Sequence, residues 1–449
     1  MPCLKIAGMQ TTSPQPPTQL KNGKATRFLL WILLFLAAGE FIVRGPARYL
    51  RQTGWNDLAQ NYAASRLWLR GQNFANPENF VRLWKEEVGV TLSADTIRTH
   101  LAPPPGTLIL LAPIAILPWH LANLAWLTVL VTSVGLTIWS LARAAGLRSN
   151  EPGTLGFVAF CLALAPFHTG TAAANETILV VTLCALGILA AGEDRDVVAG
   201  LLFGAACSLK PHLGSFLVLY YLIRMRWRLF SVALGFTALL AAIAALWMRI
   251  CGVAWVHDYF HNVNVLATQN KIDDFTSANS IRFMLINLQV PLYSFTHSAR
   301  SANIIALGTG VIVISVWIYL VIRAGHRQMG LLALATIAVI GLLPLYHRLY
   351  DASLLAIPLC WCMSELVGAR KTVARMALVP LAAFLVPGAA LLQQLERSGR
   401  IPQSWTSSWW WEGVVMPHQT WLLCVLALIL LYGLATFRQT AELAASERI

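Results

Sequence analysis

Residues 229–250 read LFSVALGFTALLAAIAALWMRI, twenty-two positions whose single charge, Arg249, stands next to the last one. As a helix rising about 1.5 Å per residue, a stretch of this length covers the roughly 30 Å hydrocarbon core of a bilayer. Arg224, Arg226 and Arg228 precede it and a polar segment follows, so cations mark one end. In hydrocarbon a helix satisfies every backbone amide within itself, and basic residues at one end fix its direction.

Outward from this block the pattern repeats. Apolar cores fall at 28–43, 119–142, 152–167, 175–191, 196–209, 211–223, 302–323, 329–345, 351–367, 374–392 and 419–437, giving about twelve transmembrane helices in all. The chain is 57% hydrophobic and 12% charged, against about 25% charged for soluble domains. The composition excludes a soluble globular protein and predicts an all-α polytopic membrane protein with long outer loops. The short cores 196–209 and 211–223 meet at Lys210-Pro211, as one kinked helix or a tight hairpin. The run 107–118, flanked by prolines, reads as a re-entrant or interfacial helix.

The net charge of +13 is scattered in twos and threes at span ends, which reports cytoplasmic loops facing anionic lipid and points to no nucleic-acid partner. Placing the clusters at 224–228, 323–327 and 370–375 in the cytoplasm puts 44–105, 251–301 and 393–418 outside. Residues 1–27 and 438–449 read as cytoplasmic tails, the first disordered, and 28–437 as the integral membrane domain. The tips 167–175, 210–212 and 346–351 then share the outer face with the loop that follows the first span. Six cysteines lie in apolar spans, where Cys packs as a small hydrophobe, and no disulfide is expected.

The residues that carry chemistry lie at those tips. Asp57 precedes an amphipathic pattern of Tyr62, Ala63, Leu67 and Leu69 that ends at Gly71. It reads either as a helix cap or as a general base beside an acceptor hydroxyl. Lys210 interrupts apolar sequence, where a cation costs about 2.5–3.5 kcal/mol to insert, so it reads as a phosphate-binding charge or as a side chain that snorkels to the interface. Asn175 suits a helix cap, and Glu176 a dipole-stabilised first turn. His347 and Arg348 suit phosphate binding or a proton shuttle, while Asp351 suits a pair with Arg348 or a cap. The spacing of His257, Asp258, His261 and Asn262 is too weak to predict a metal site. Walker, dinucleotide-loop and nucleophile-elbow motifs are not found.

The ordered set of motifs resembles the integral membrane glycosyltransferases of the C superfamily, specifically glycosyltransferase family 87. Asn56-Asp57-Leu58 with Tyr62-Ala63-Ala64 and Gly71 matches the family's first-loop pattern. Ala102-Pro103-Pro104 with Leu117-Pro118-Trp119 is similar to its Tyr-Pro-Pro segment. Ala199-Gly200 through Leu209-Lys210-Pro211 is similar to its Ala-Gly to Lys-Pro hairpin. Asn279-Ser280 with Arg282, and Tyr346-His347 with Tyr350-Asp351, match later stations. Two positions depart: Ala172-Ala173 replaces a Gly-Gln before Asn175, and Ala102 replaces an aromatic.

The resemblance implies a hexosyltransferase in the bacterial inner membrane whose site faces the periplasm or exterior. A sugar, mannose above all, would move with inversion from a polyprenyl-phosphate-linked donor to a glycolipid or cell-envelope glycan acceptor. Asp57 would be the base, and Lys210, His347 and Arg348 would bind the donor phosphate. Asn175, His212, Asn279, Arg282 and Tyr62 would contact substrate, with no metal or other cofactor required. Two alternatives remain open: a transporter or flippase for a lipid-linked sugar, and a glycosyltransferase-like scaffold without activity.

Overall fold

A computed structural model describes residues 24–51, 56–88, 102–149, 151–266, 273–324 and 330–436. Residues 1–23 of the first expected tail, the whole of the second at 438–449, and part of the basic cluster at 323–327 lie outside those residues. The described chain is helical, without a strand; an isolated antiparallel bridge joins Leu285 to Arg348.

Five helical stretches are long and apolar enough to cross a membrane: Lys24–Arg51, Trp119–Ala144, Trp227–Ile250, Ala299–Arg323 and His418–Ala435. Their outer faces stay apolar where no protein covers them. Phe35 is 80% exposed, and Val311 and Leu428 are each 65% exposed, as expected of side chains solvated by lipid. Two bent pairs raise the number to seven if each is one span. Pro152–Ala163 and Ala165–Ala172 meet at 44°, where Leu164 is extended and Pro166 opens the second helix. Lys371–Leu385 and Gly388–Arg397 meet at 41° around Pro387. The expected twelve additionally counts short apolar helices such as Thr177–Gly192 and Gly330–Gly341, whose 16 and 12 residues fall short of the usual ~17–25. These short helices are the most enclosed of the set, with Leu332 through Gly341 buried without a break. They form the protein core while the long helices face lipid.

Asp196–Leu209 and Pro211–Ile223 are separate helices joined by extended backbone at Lys210. A Cβ on Gly214 would sit 2.8 Å from Cys207 Sγ and 3.0 Å from the Cys207 amide. Residues seven apart in one helix are separated by about 10 Å along the axis, so the chain doubles back here. Of the two arrangements open from sequence, the tight hairpin is the one formed. The run after the prolines becomes an 11-residue helix, Pro105–Ala115, about 16 Å long and too short to cross.

The helix Asp57–Leu69 packs on this framework. Its Trp68 indole donates to Ala244 O (3.2 Å), and the Trp247 indole donates to Trp68 O (2.8 Å). Arg66 donates to Ala115 O and Ile116 O (2.7 and 2.8 Å), satisfying carbonyls at the end of Pro105–Ala115. The start of the Asp57 helix is thereby fixed against the ends of the apolar helices.

Candidate active site

Asn56 caps the Asp57 helix, its side chain accepting from the Ala59 amide at 3.2 Å. The cap reading of Asp57 therefore passes to its neighbour, and the Asp57 carboxylate is left for other work. Its backbone N–H donates to Ala173 O (2.9 Å), and Asn175 Nδ2 donates to its Oδ2 (2.7 Å). Asp57 is half-buried. Burial pushes its carboxyl above the usual carboxylate range, opposed by the Asn175 hydrogen bond and by the charges of Arg348 and Lys210.

From Asn175 the bonds run inward. Asn175 Oδ1 accepts from the Thr177 amide (3.0 Å) and lies 2.7 Å from the Thr177 hydroxyl oxygen. Thr177 Oγ1 also meets Asp351 Oδ1 (2.6 Å) and accepts from Lys210 Nζ (2.7 Å). Lys210 Nζ reaches Asp351 Oδ1 at 3.0 Å, lies 3.9 Å from Glu176 Oε1, and sits 4.8 Å from the centre of the Tyr350 ring. Asp351 Oδ2 accepts from the Arg348 amide at 2.9 Å and faces His347 Nδ1 at 3.6 Å. The His347 and His212 rings are 5.0 Å apart. Asp57, Asn175, Lys210, His212, His347 and Arg348 thus converge, although up to 291 positions separate them in sequence.

Three expected site residues lie elsewhere. Tyr62 is buried against Trp119, and its hydroxyl donates to Leu117 O (2.9 Å), which makes it a packing strut. Asn279 closes its own loop, donating to Asp274 O (2.7 Å) and accepting from the Ile281 amide (3.0 Å). Arg282 pairs with Glu412 (2.8 Å) and lies over Phe283. These contacts set Asn279 and Arg282 in the loop 273–288 and its neighbours, and among the described residues neither bonds to the Asp57 network. Lys210 does not snorkel: it is 8% exposed and held by a carboxylate. Asp351 takes Lys210 as its ion-pair partner, where sequence offered Arg348.

Sequence reading passed over two participants. Thr177 is the hydroxyl that links Asn175 to Lys210 and Asp351, and its signal is a Thr opening an apolar helix right after Asn175-Glu176. Asp273 is a further carboxylate. It hydrogen-bonds the Tyr346 hydroxyl within the field of Arg348 and Lys210, and burial pushes it up to about 6. Its signal is the paired Asp273-Asp274 in a polar segment between apolar helices. The weak metal spacing is spent structurally, with Asp258 Oδ2 accepting from Asn73 (2.7 Å) and buried Asn262 donating to Ala75 O (2.7 Å).

A half-buried carboxylate held by one oxygen, over buried and half-buried cations, is equipped to accept a proton while stabilising departing negative charge. No curated protein matches the chain. The model of glycosyltransferase family 87 matches residues 103–345, a stretch that holds Asn175, Lys210 and His212 and is flanked by Asp57 and by His347 to Asp351. Covering more than half the sequence, that match shows that the chain belongs to glycosyltransferase family 87.

Proposed function

We propose that this membrane glycosyltransferase moves a sugar, mannose first, from a polyprenyl-phosphate donor to a lipid-linked or cell-envelope acceptor, with inversion. The observation that carries the reading is the Asp57 carboxylate, anchored through Oδ2 to Asn175 beside the charges of Arg348 and Lys210. The acceptor oxygen attacks the anomeric carbon, its proton passes to Asp57, and the bond from that carbon to the phosphate oxygen breaks. The phosphate leaves as an anion towards Arg348, the half-buried cation of the pair. Lys210, tied to Asp351, acts on it through space from the floor. His347, fully buried, supports Asp351.

The donor's prenyl chain suits a site at the ends of apolar helices, because its tail lies in the same hydrocarbon as their exposed faces. The same reading keeps the outer loops at 44–105, 251–301 and 393–418 and the site on the outer face of the bacterial inner membrane. A flippase would instead need two alternating arrangements of one pathway.

Asp57→Asn is the decisive variant. The Asn side-chain oxygen still accepts from Asn175 and Asn56 still caps the helix, so thermal stability stays near wild type. Turnover with polyprenyl-phosphate-mannose and membrane acceptors falls by about 10²–10⁴-fold, the usual share of a general base. Unchanged turnover in a stable variant refutes the assignment of Asp57.

A further inference from the structure

Near Asp57 lie two imidazoles, each with a ring nitrogen buried without a hydrogen-bond partner, and the carboxylate of Asp351. A ring nitrogen of His212, a ring nitrogen of His347 and a carboxylate oxygen of Asp351 all lie within 4.8 Å of one another. His347 Nε2 is 3.0 Å from Gly341 O, and a carbonyl only accepts, so Nε2 carries the proton. In the neutral ring Nδ1 is then a lone pair, buried, without a hydrogen-bond partner and aimed at Asp351 Oδ2 3.6 Å away. Two acceptors face each other. A proton on Nδ1 would reconcile that pair, yet it leaves His212 Nε2, which is also buried without a hydrogen-bond partner. A metal ion satisfies all three atoms at once.

We propose that His212, His347 and Asp351 form a site for a divalent first-row transition ion, zinc foremost. Two imidazoles and a carboxylate are the donor set such ions take, with metal–nitrogen distances of about 2.0–2.1 Å. Tetrahedral ligands at that distance lie about 3.4 Å apart, so the 3.6 Å edge already fits. The longest edge closes by at most about 1.4 Å from the 4.8 Å limit, through movement of His212, which is half-buried early in its helix.

The surroundings have the outer shell that metal sites use to orient their ligands. His347 gives its other N–H to a backbone carbonyl, and the Arg348 amide donates to the ligating Asp351 oxygen. The second Asp351 oxygen is held by Thr177 and Lys210. Charge points the same way. Among the described residues, Asp57, Glu176, Asp273 and Asp351 are four carboxylates in one electrostatic neighbourhood, answered by Lys210 and Arg348. A divalent ion offsets that excess, and the site stands whether or not the chain transfers mannose.

The test uses the full chain, purified in detergent, stripped with chelator and titrated with Co²⁺ alone while visible d–d absorption is followed. Wild type is expected to bind one Co²⁺ per chain, displaced by Zn²⁺. His212→Gln and His347→Gln weaken binding at least tenfold, and His257→Gln, a change at a surface imidazole, leaves it unaltered. His212→Gln alone decides if the buried His347 variant does not fold. The inference is overturned if wild type gives no stoichiometric d–d band, if binding is unmoved by His212→Gln, or if it follows His257. No sugar transfer is measured, so failure of this site and failure of the mannosyl-transfer reading are separate results.

Discussion

Asp351 and Asp57 belong to one hydrogen-bonded network under opposite conditions. Asp351 is fully buried, and its two oxygens are engaged by Thr177, Lys210 and the Arg348 amide. Asp57 is half-buried, and among the described residues its carboxylate accepts one hydrogen bond, from Asn175. A carboxylate saturated with donors and a cation has little affinity left for a proton, whereas one raised by burial and lightly held has more. The floor of the site is therefore built to stay ionised and the rim to exchange a proton. Reactivity belongs where satisfaction is incomplete.

The largest effect that tests this contrast falls on the floor. Asp351→Ala leaves the buried Lys210 with Glu176 3.9 Å away, and breaking a buried pair costs about 3–5 kcal/mol. Thermal or denaturant unfolding in detergent is expected to show a loss on that scale. The double variant Lys210→Met with Asp351→Leu recovers most of the stability, because removing both charges also removes their desolvation penalty. A single variant as stable as wild type would place the floor's stability elsewhere.

At the rim the expected change is catalytic. Asn175→Ala removes a hydrogen bond to an ionised group, worth about 1.5–3 kcal/mol, and that bond holds the Asp57 pKa down. The base must be ionised to act, so activity is lost as pH falls through its pKa. Removing Asn175 moves the acidic limb of the kcat/KM profile to higher pH, and a limb that stays in place would uncouple Asn175 from the base.

The smallest effect concerns the strand of backbone between rim and floor. Ala174 adopts φ 61°, a left-handed conformation costing about 1–2 kcal/mol for a residue with a Cβ. Its carbonyl accepts from the Trp126 indole (2.9 Å), which helps to hold it there. Ala174→Gly is expected to raise stability by up to about 1 kcal/mol, net of the entropy gained by the unfolded chain, with turnover unchanged. A drop in melting temperature would show that the strain is not stored at this position.

Much of this was legible in the sequence, and the parts that were not share a cause. Apolar length and basic span ends marked the lipid-facing helices, since both are local properties of the chain. Asp57, Lys210 and His347 stood out because ionisable groups are rare in such sequence. Partnership was not legible. Lys210 and Asp351 are 141 positions apart, and no local pattern tells whether a cation meets a carboxylate, lipid or substrate. Tyr62 looked like a substrate contact because it shares a motif with Asp57. On the helix the two lie five residues apart, which turns Tyr62 towards Trp119 and the core.

The ion pair of Lys210 also constrains how the protein is made. At about 5–20 residues per second, Asp351 leaves the ribosome roughly 7–28 seconds after Lys210. Throughout that interval the hairpin carrying Lys210 must wait in or beside the membrane without its eventual partner. Glu176, 3.9 Å from Lys210 in the finished fold, is synthesised before it and is the carboxylate at hand. It can serve as a provisional counter-ion until Asp351 arrives. Glu176→Gln would then lower the yield of inserted protein more than the stability of the molecules that complete assembly, a difference readable by comparing membrane insertion with unfolding of the purified chain.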